Sequence, residues 1–278
     1  MIKLENTKTY GWEAAIRGMR NPMNSWEKSD TLFFDFGNSE GLNNVNYFHT
    51  LTGKREILLD EEDCVVEGCC DNVGQNDHKL MMNLAKAGSV DAKYRRMIIV
   101  TVDIAAPLYW WKEFDTYKVG TVANSCSTMH KIHSKEFTLE DFSCEHLFDW
   151  PQDFPDDAKV EYFIENGAYE AFDTDYYLDR IEDTIAKFAI DALSEVIKAL
   201  NHYRIKFLET KDKRYWWQMI QLLPSSYNQR RTIMLNYEVL AGIYPKRKDH
   251  RLDEWYDFCE WIRELPYSEI ITLEEETI

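Results

Sequence analysis

Phosphate oxygens are recognised by about two cationic groups backed by hydroxyl or backbone donors, because charge-assisted hydrogen bonds dominate that contact. Arg247, Lys118, His130, Lys131 and Ser127 are the residues of this sequence that could converge on such an anion. Arg247 lies in KRKDHR (246–251), a run that also suits a solvated basic turn. His130 has a second histidine, His133, three residues on, and an ordinary surface or core imidazole fits there equally. Tyr109-Trp110-Trp111 could stack on a flat ring, or could plug a core or a subunit interface. Asn236, among Ile233, Met234, Leu235 and Leu240, can donate and accept at the edge of a heterocycle; buried without a partner it would cost about 1–3 kcal/mol. Cys126 invites a nucleophile reading against that of an incidental thiol. Glu113 and Asp115 lie close enough in sequence to Lys118 to form a charged cluster with it, or a solvated face.

These residues need a scaffold, and the composition bounds it. Among 278 residues, 32 Lys+Arg face 49 Asp+Glu, a net charge of -17 that repels a polyphosphate backbone and argues against general nucleic-acid binding. No apolar run approaches the roughly 20 residues of a bilayer span, and MIKLENTKTYGW lacks a signal-peptide pattern, so a cytoplasmic location without a membrane partner is expected. The six cysteines (Cys64, Cys69, Cys70, Cys126, Cys144, Cys259) show no CxxC spacing, which favours incidental thiols over metal ligands. Few Gly and Pro beside 9 Trp, 16 Tyr and 14 Phe point to a helix-rich core.

No linker, repeat or low-complexity tract divides the chain, so residues 1–278 read as one domain with an acidic, loop-rich insertion near 140–175. Short helices are predicted over 12–20, stopped by Asn21-Pro22, and 77–87, ended by Gly88. MIIVTVDI, apolar at 98, 100, 102 and 104, predicts a strand closed by Pro107. From Leu178 a three-and-four spacing predicts a long amphipathic helix through 207. Further helices are expected over 214–223, 228–243 and 252–263. Strands early and long helices late make the fold class α+β, a small antiparallel or mixed sheet packed with long helices.

Two stretches, MIIVTVDIAAPLYWWKEFDTYKVGTVANSCSTMHK and LPSSYNQRRTIMLNYEVLAGIYPKRKDHRLDEW, resemble the flavin-dependent thymidylate synthases. In that family a strand ends in Ala-Pro, an aromatic run ends in Arg-Gln, an Arg-His-Arg triplet follows, and then an Asn-x-x-Ser-x-Arg segment, whose arginine falls here on Met129. Here Ala106-Pro107 leads through the aromatics to Lys112-Glu113, Thr116-Tyr117-Lys118 stands at the triplet, and Asn124-Ser125-Cys126-Ser127 follows. In the second stretch Leu223-Pro224, Asn236 and Arg247 keep the family's Leu-Pro, Asn, Arg spacing. The arginine that follows the family's Asn falls on Glu238, and its acidic contact ahead of the strand falls in the neighbourhood of Tyr94-Arg95-Arg96-Met97.

The resemblance implies methylation of dUMP with methylenetetrahydrofolate, FAD and NADPH, in a homotetramer whose subunits share active sites. It implies that Glu113, Asn124, Ser127 and Arg247 hold the nucleotide, and that Thr116, Tyr117, Lys118 and Asn236 meet the flavin. Two alternatives remain beside it: a diverged nucleotide-binding or assembly protein that has lost the flavin, and an enzyme modifying another pyrimidine nucleotide. The eleven residues from Asn236 to Arg247, close to three helical turns, predict that both side chains share one face and one cavity.

Overall fold

The computed structural model describes residues 2–36, 46–53, 55–57, 73–147 and 189–274. They form two compact units: one combines the chain up to Cys126 with Gln229 onward, the other is Ser127–Asn228.

The first unit is built on a four-stranded sheet in the order β1 (Lys3–Tyr10), β5 (Ile99–Pro107), β7 (Asn228–Asn236), β6 (Val122–Ser125). β1 runs antiparallel to β5, pairing Lys3 with Ala105 and Tyr10 with Ile99. β6 runs antiparallel to β7, pairing Val122 with Met234 and Ser125 with Arg231. The predicted alternation on β5 is realised: Ile98, Val100, Val102, Ile104 and Ala106 are buried, while Asp103 stands on the opposite face. Gly11 (φ 89°) joins β1 to α1 (Trp12–Arg20); a Cβ there would lie 2.1 Å from the Met97 carbonyl oxygen, so the turn requires glycine. A separate three-stranded antiparallel sheet comprises β2 (Phe33–Phe36), β3 (Asn46–His49) and β4 (Arg55–Ile57).

α2 (Gln75–Ala87) ends at Gly88 as expected, but Asp77 does not open it. Its fully buried carboxylate accepts from Arg20 Nε, Ser29 Oγ and both the Thr31 amide and hydroxyl, tying α1 and α2 together. Pro107 closes β5 and starts α3 (Leu108–Phe114). The second unit has its own core of Ile132, Phe137, Phe142, Leu193, Leu200 and Met219, contributed in part by α4 (Ala189–Thr210) and α5 (Lys213–Leu222). The predicted start of the long helix, 178–188, and most of the acidic insertion lie outside the described residues.

One expected element is corrected. Residues 228–243 are not a single helix: β7 runs to Asn236, and α6 (Tyr237–Arg247) begins at the next residue. Ile233 and Leu235 point inward and Arg230 and Thr232 outward, so the segment has period two and gains strand neighbours on both sides. α7 (Asp253–Arg263) and α8 (Glu269–Thr272) complete the unit. No described helix is long and apolar enough to cross a membrane.

Candidate functional site

Helix α3 buries Trp110, Trp111 and Phe114 on one side, which turns Glu113 to the other. Trp110 packs against Trp255 and Phe258 of α7 with ring centroids 4.9 and 5.7 Å away, so the aromatic run fills the core of this unit. That packing brings the end of α3 beside the end of α6 and the start of α7. Arg247, in the last turn of α6, donates from Nη1 to Glu113 Oε2 at 2.8 Å and from Nε to the Tyr117 hydroxyl at 2.9 Å. Its guanidinium lies over the Trp255 ring, 4.5 Å from the centroid. Trp255 Nε1 donates to the same Glu113 oxygen at 2.8 Å, and His250 Nε2 stands 3.6 Å from it. His250 Nδ1 accepts the Leu252 amide at 3.2 Å, which leaves the ring proton on Nε2, toward Glu113. Arg247 is thus a cation held in one orientation, with 18% of its side chain exposed and a carboxylate already on it.

Three of the sequence-predicted residues, Glu113, Tyr117 and Arg247, are brought together. Thr116 donates from Oγ1 to the Glu113 carbonyl at 2.7 Å and shapes the turn that swings Tyr117 inward. Lys118 follows on the outside of that turn, exposed, with no carboxylate on it among the described residues. Asn124 sits exposed on β6 opposite Thr232. Ser127 belongs to the second unit, where its Oγ accepts the amides of Met129 and His130 at 3.2 and 2.9 Å. His130 and Lys131 are exposed in that unit, and Cys126 is an exposed free thiol.

Asn236 departs from its predicted place. It is the N-cap of α6, its Oδ1 accepting the Val239 amide at 3.0 Å. The eleven residues to Arg247 are the whole length of α6, so the two lie at opposite ends of the helix, about 16 Å apart along its axis. Both face the 117–120 turn, Arg247 through Tyr117 and Asn236 through Gly120, but the separation along the axis keeps the two side chains from meeting. Its Nδ2 faces Gly120 (φ 78°), where a Cβ would approach to 3.1 Å.

Sequence reasoning missed Trp255 and His250. The available signal was the indole itself, since a buried Trp N–H usually takes an acceptor, although Trp110 Nε1 has none among the described residues. It also missed the carboxylates that stand beside several arginines of this unit, although Arg95 keeps Nε and Nη2 buried without a hydrogen-bond partner among the described residues. Arg231 pairs with Asp115 at 2.7 Å over the Trp111 ring, and buried Arg95 stands 3.7 Å from Glu238 at the start of α6. Arg230 donates to Asp103 at 2.9 Å. Asp103 also accepts from Thr232 and Asn6, and these bonds, Thr232's foremost, hold its carboxyl down to about 2. Among the described residues no group of three or more His, Cys, Asp or Glu is arranged to hold a metal ion.

No family model and no curated protein matches the chain in sequence. Solved structures do match it in three dimensions. Thymidylate synthase X (ThyX) from Helicobacter pylori, solved with FAD and dUMP, superposes with a TM-score of 0.52 at 12% identity, covering 99% of this chain and 98% of that one. The UMP/dUMP methylase PolB from Streptomyces cacaoi, bound with 5-Br UMP, gives 0.50 at 12% identity, covering 98% and 94%. The α+β architecture expected from the sequence is therefore similar to the folds of ThyX and PolB over nearly the whole chain.

Proposed function

We propose that the chain binds a pyrimidine nucleotide at the Arg247 end of α6 and methylates its ring as a thymidylate synthase does. dUMP, or another pyrimidine nucleotide of the same kind, is the substrate, methylenetetrahydrofolate the one-carbon donor, and FAD with NADPH the redox partners. The observation that carries the reading is Arg247, fixed by Tyr117, Glu113 and Trp255 on this fold. A planar guanidinium held in place loses little freedom on meeting a phosphate or ring oxygen.

The turn after α3 carries groups that suit FAD. Lys118 offers one unpaired cation, Asn236 Nδ2 offers an amide donor, and Gly120 keeps the backbone open between them. That set fits a flavin edge and one phosphate, and in the homotetramer of this reading another subunit supplies the second cation of a diphosphate site. When bound, a reduced flavin supplies hydride. Thr116 and Tyr117 fix the turn and Lys118 and Asn236 face the flavin, while Glu113, Asn124 and Arg247 serve the nucleotide. No cysteine is assigned a covalent role.

A second reading, a nucleotide-binding protein without flavin, is favoured by the carboxylates that match Arg231 and Arg247. The visible absorbance of the purified protein separates the two. A bound flavin spectrum supports the enzyme. A colourless protein that stays colourless after dialysis against FAD, yet binds dUMP, supports the second reading.

A further inference from the structure

We propose that Glu113 is the specificity-determining acceptor of this site, taking a sugar hydroxyl on Oε1 and so making the ribonucleotide the preferred ligand. The inference rests on the nucleotide reading above and names which pyrimidine nucleotide the site holds best. Glu113 Oε2 is anchored by two donors, Arg247 Nη1 and Trp255 Nε1, each at 2.8 Å. The carboxylate is therefore oriented, and its charge is balanced by the arginine. Oε1 receives no hydrogen bond from any described residue, and 38% of the side chain is exposed. An ionised carboxylate oxygen accepts and never donates, so the group it selects must carry O–H or N–H. A phosphate brought to the same edge meets a like charge, whereas a neutral hydroxyl forms a short, charge-assisted bond. Arg247 Nη2 has no bond to a described residue and can donate to the same hydroxyl's oxygen or to its neighbour. Sugar hydroxyls combine donor and acceptor in this way, and the 2′-hydroxyl is the one that distinguishes ribose from deoxyribose.

The test is titration calorimetry with UMP, dUMP and N3-methyl-UMP on the wild-type chain and on Glu113→Gln. In the variant the amide carbonyl turns to Arg247 and Trp255, and an NH2 donor replaces the acceptor at the exposed edge. Wild type is expected to bind UMP about tenfold more tightly than dUMP, and the variant to bind the two within about twofold of each other, with its melting curve still cooperative. N3-methyl-UMP should bind wild type as UMP does. Equal affinity for UMP and dUMP in wild type overturns the proposal while leaving the nucleotide site standing. Loss of binding on N3-methylation, with no ribose preference, overturns it in favour of a ring N–H donor. If neither nucleotide binds wild type, both this proposal and the nucleotide reading fall.

Discussion

Glu113 shows how one carboxylate can organise several side chains. It accepts from Arg247 and Trp255, and both lie within the aromatic cluster that the α3 sequence LYWWKEF begins. A bond from a neutral donor to an ionised acceptor contributes about 1.5–3 kcal/mol, and the partial exposure of Glu113 places it at the low end. Trp255→Phe keeps most of the ring packing and removes only this donor. It should lower the unfolding free energy in urea by about 1–2 kcal/mol and weaken dUMP binding, because Glu113 then pulls less firmly on its remaining partner. Loss of stability without any change in nucleotide affinity would show that Trp255 serves the core alone. The proximity of Glu113, Tyr117 and Arg247 was legible in sequence because their spacing resembles that of the family set out above. Trp255 and His250 were not, because their roles depend on α7 folding back onto α3, a contact that no local pattern encodes.

At the scale of elements, the junction between β7 and α6 decides where the site residues stand. Asn236 ends the strand and caps the helix in one residue, so its side chain has a structural duty before any binding role. Asn236→Ala should destabilise the protein by about 1 kcal/mol, the usual value of a lost N-cap, read as a shift in the chemical denaturation midpoint. Asn236→Asp keeps the cap acceptor and should be near neutral in stability, yet it replaces the Nδ2 donor facing Gly120 and should weaken any flavin contact there. β5, α1, α5 and α7 were legible because periodicity and the stops at Asn21-Pro22, Pro107 and Pro224 agree. β7 was not, since TIML fits a helix or a strand by local pattern and only the flanking β5 and β6 decide. β1 and β6, mostly polar and exposed, carry little apolar signal at all.

For the whole molecule, the acidic composition places the electrostatic burden on a few well-paired carboxylates. Asp103 is held near 2 in the folded chain against 3.8 ordinarily, chiefly by Thr232 with Asn6 and Arg230. A depressed carboxyl contributes stability above its unfolded value and loses that share as pH falls through the folded one. The acid limb of stability should therefore steepen between about pH 4 and pH 2, and Thr232→Ala should flatten that limb. At the other limit, burial pushes Tyr94 up to about 12 from 10.0. Its share is complete below pH 10 and lost as pH rises toward 12, so Tyr94→Phe should flatten the alkaline limb. The fold class was legible from the order of elements, whereas the division into two units was not, because it depends on long-range contacts that bring Gln229 onward back to the first half of the chain. The central claim is that Arg247 anchors a pyrimidine nucleotide, and calorimetric titration of dUMP into wild type and Arg247→Ala tests it most directly. The account predicts saturable binding by wild type and a loss of at least about tenfold in the variant, whose melting remains cooperative; no binding by wild type, or equal affinity in both, would contradict it.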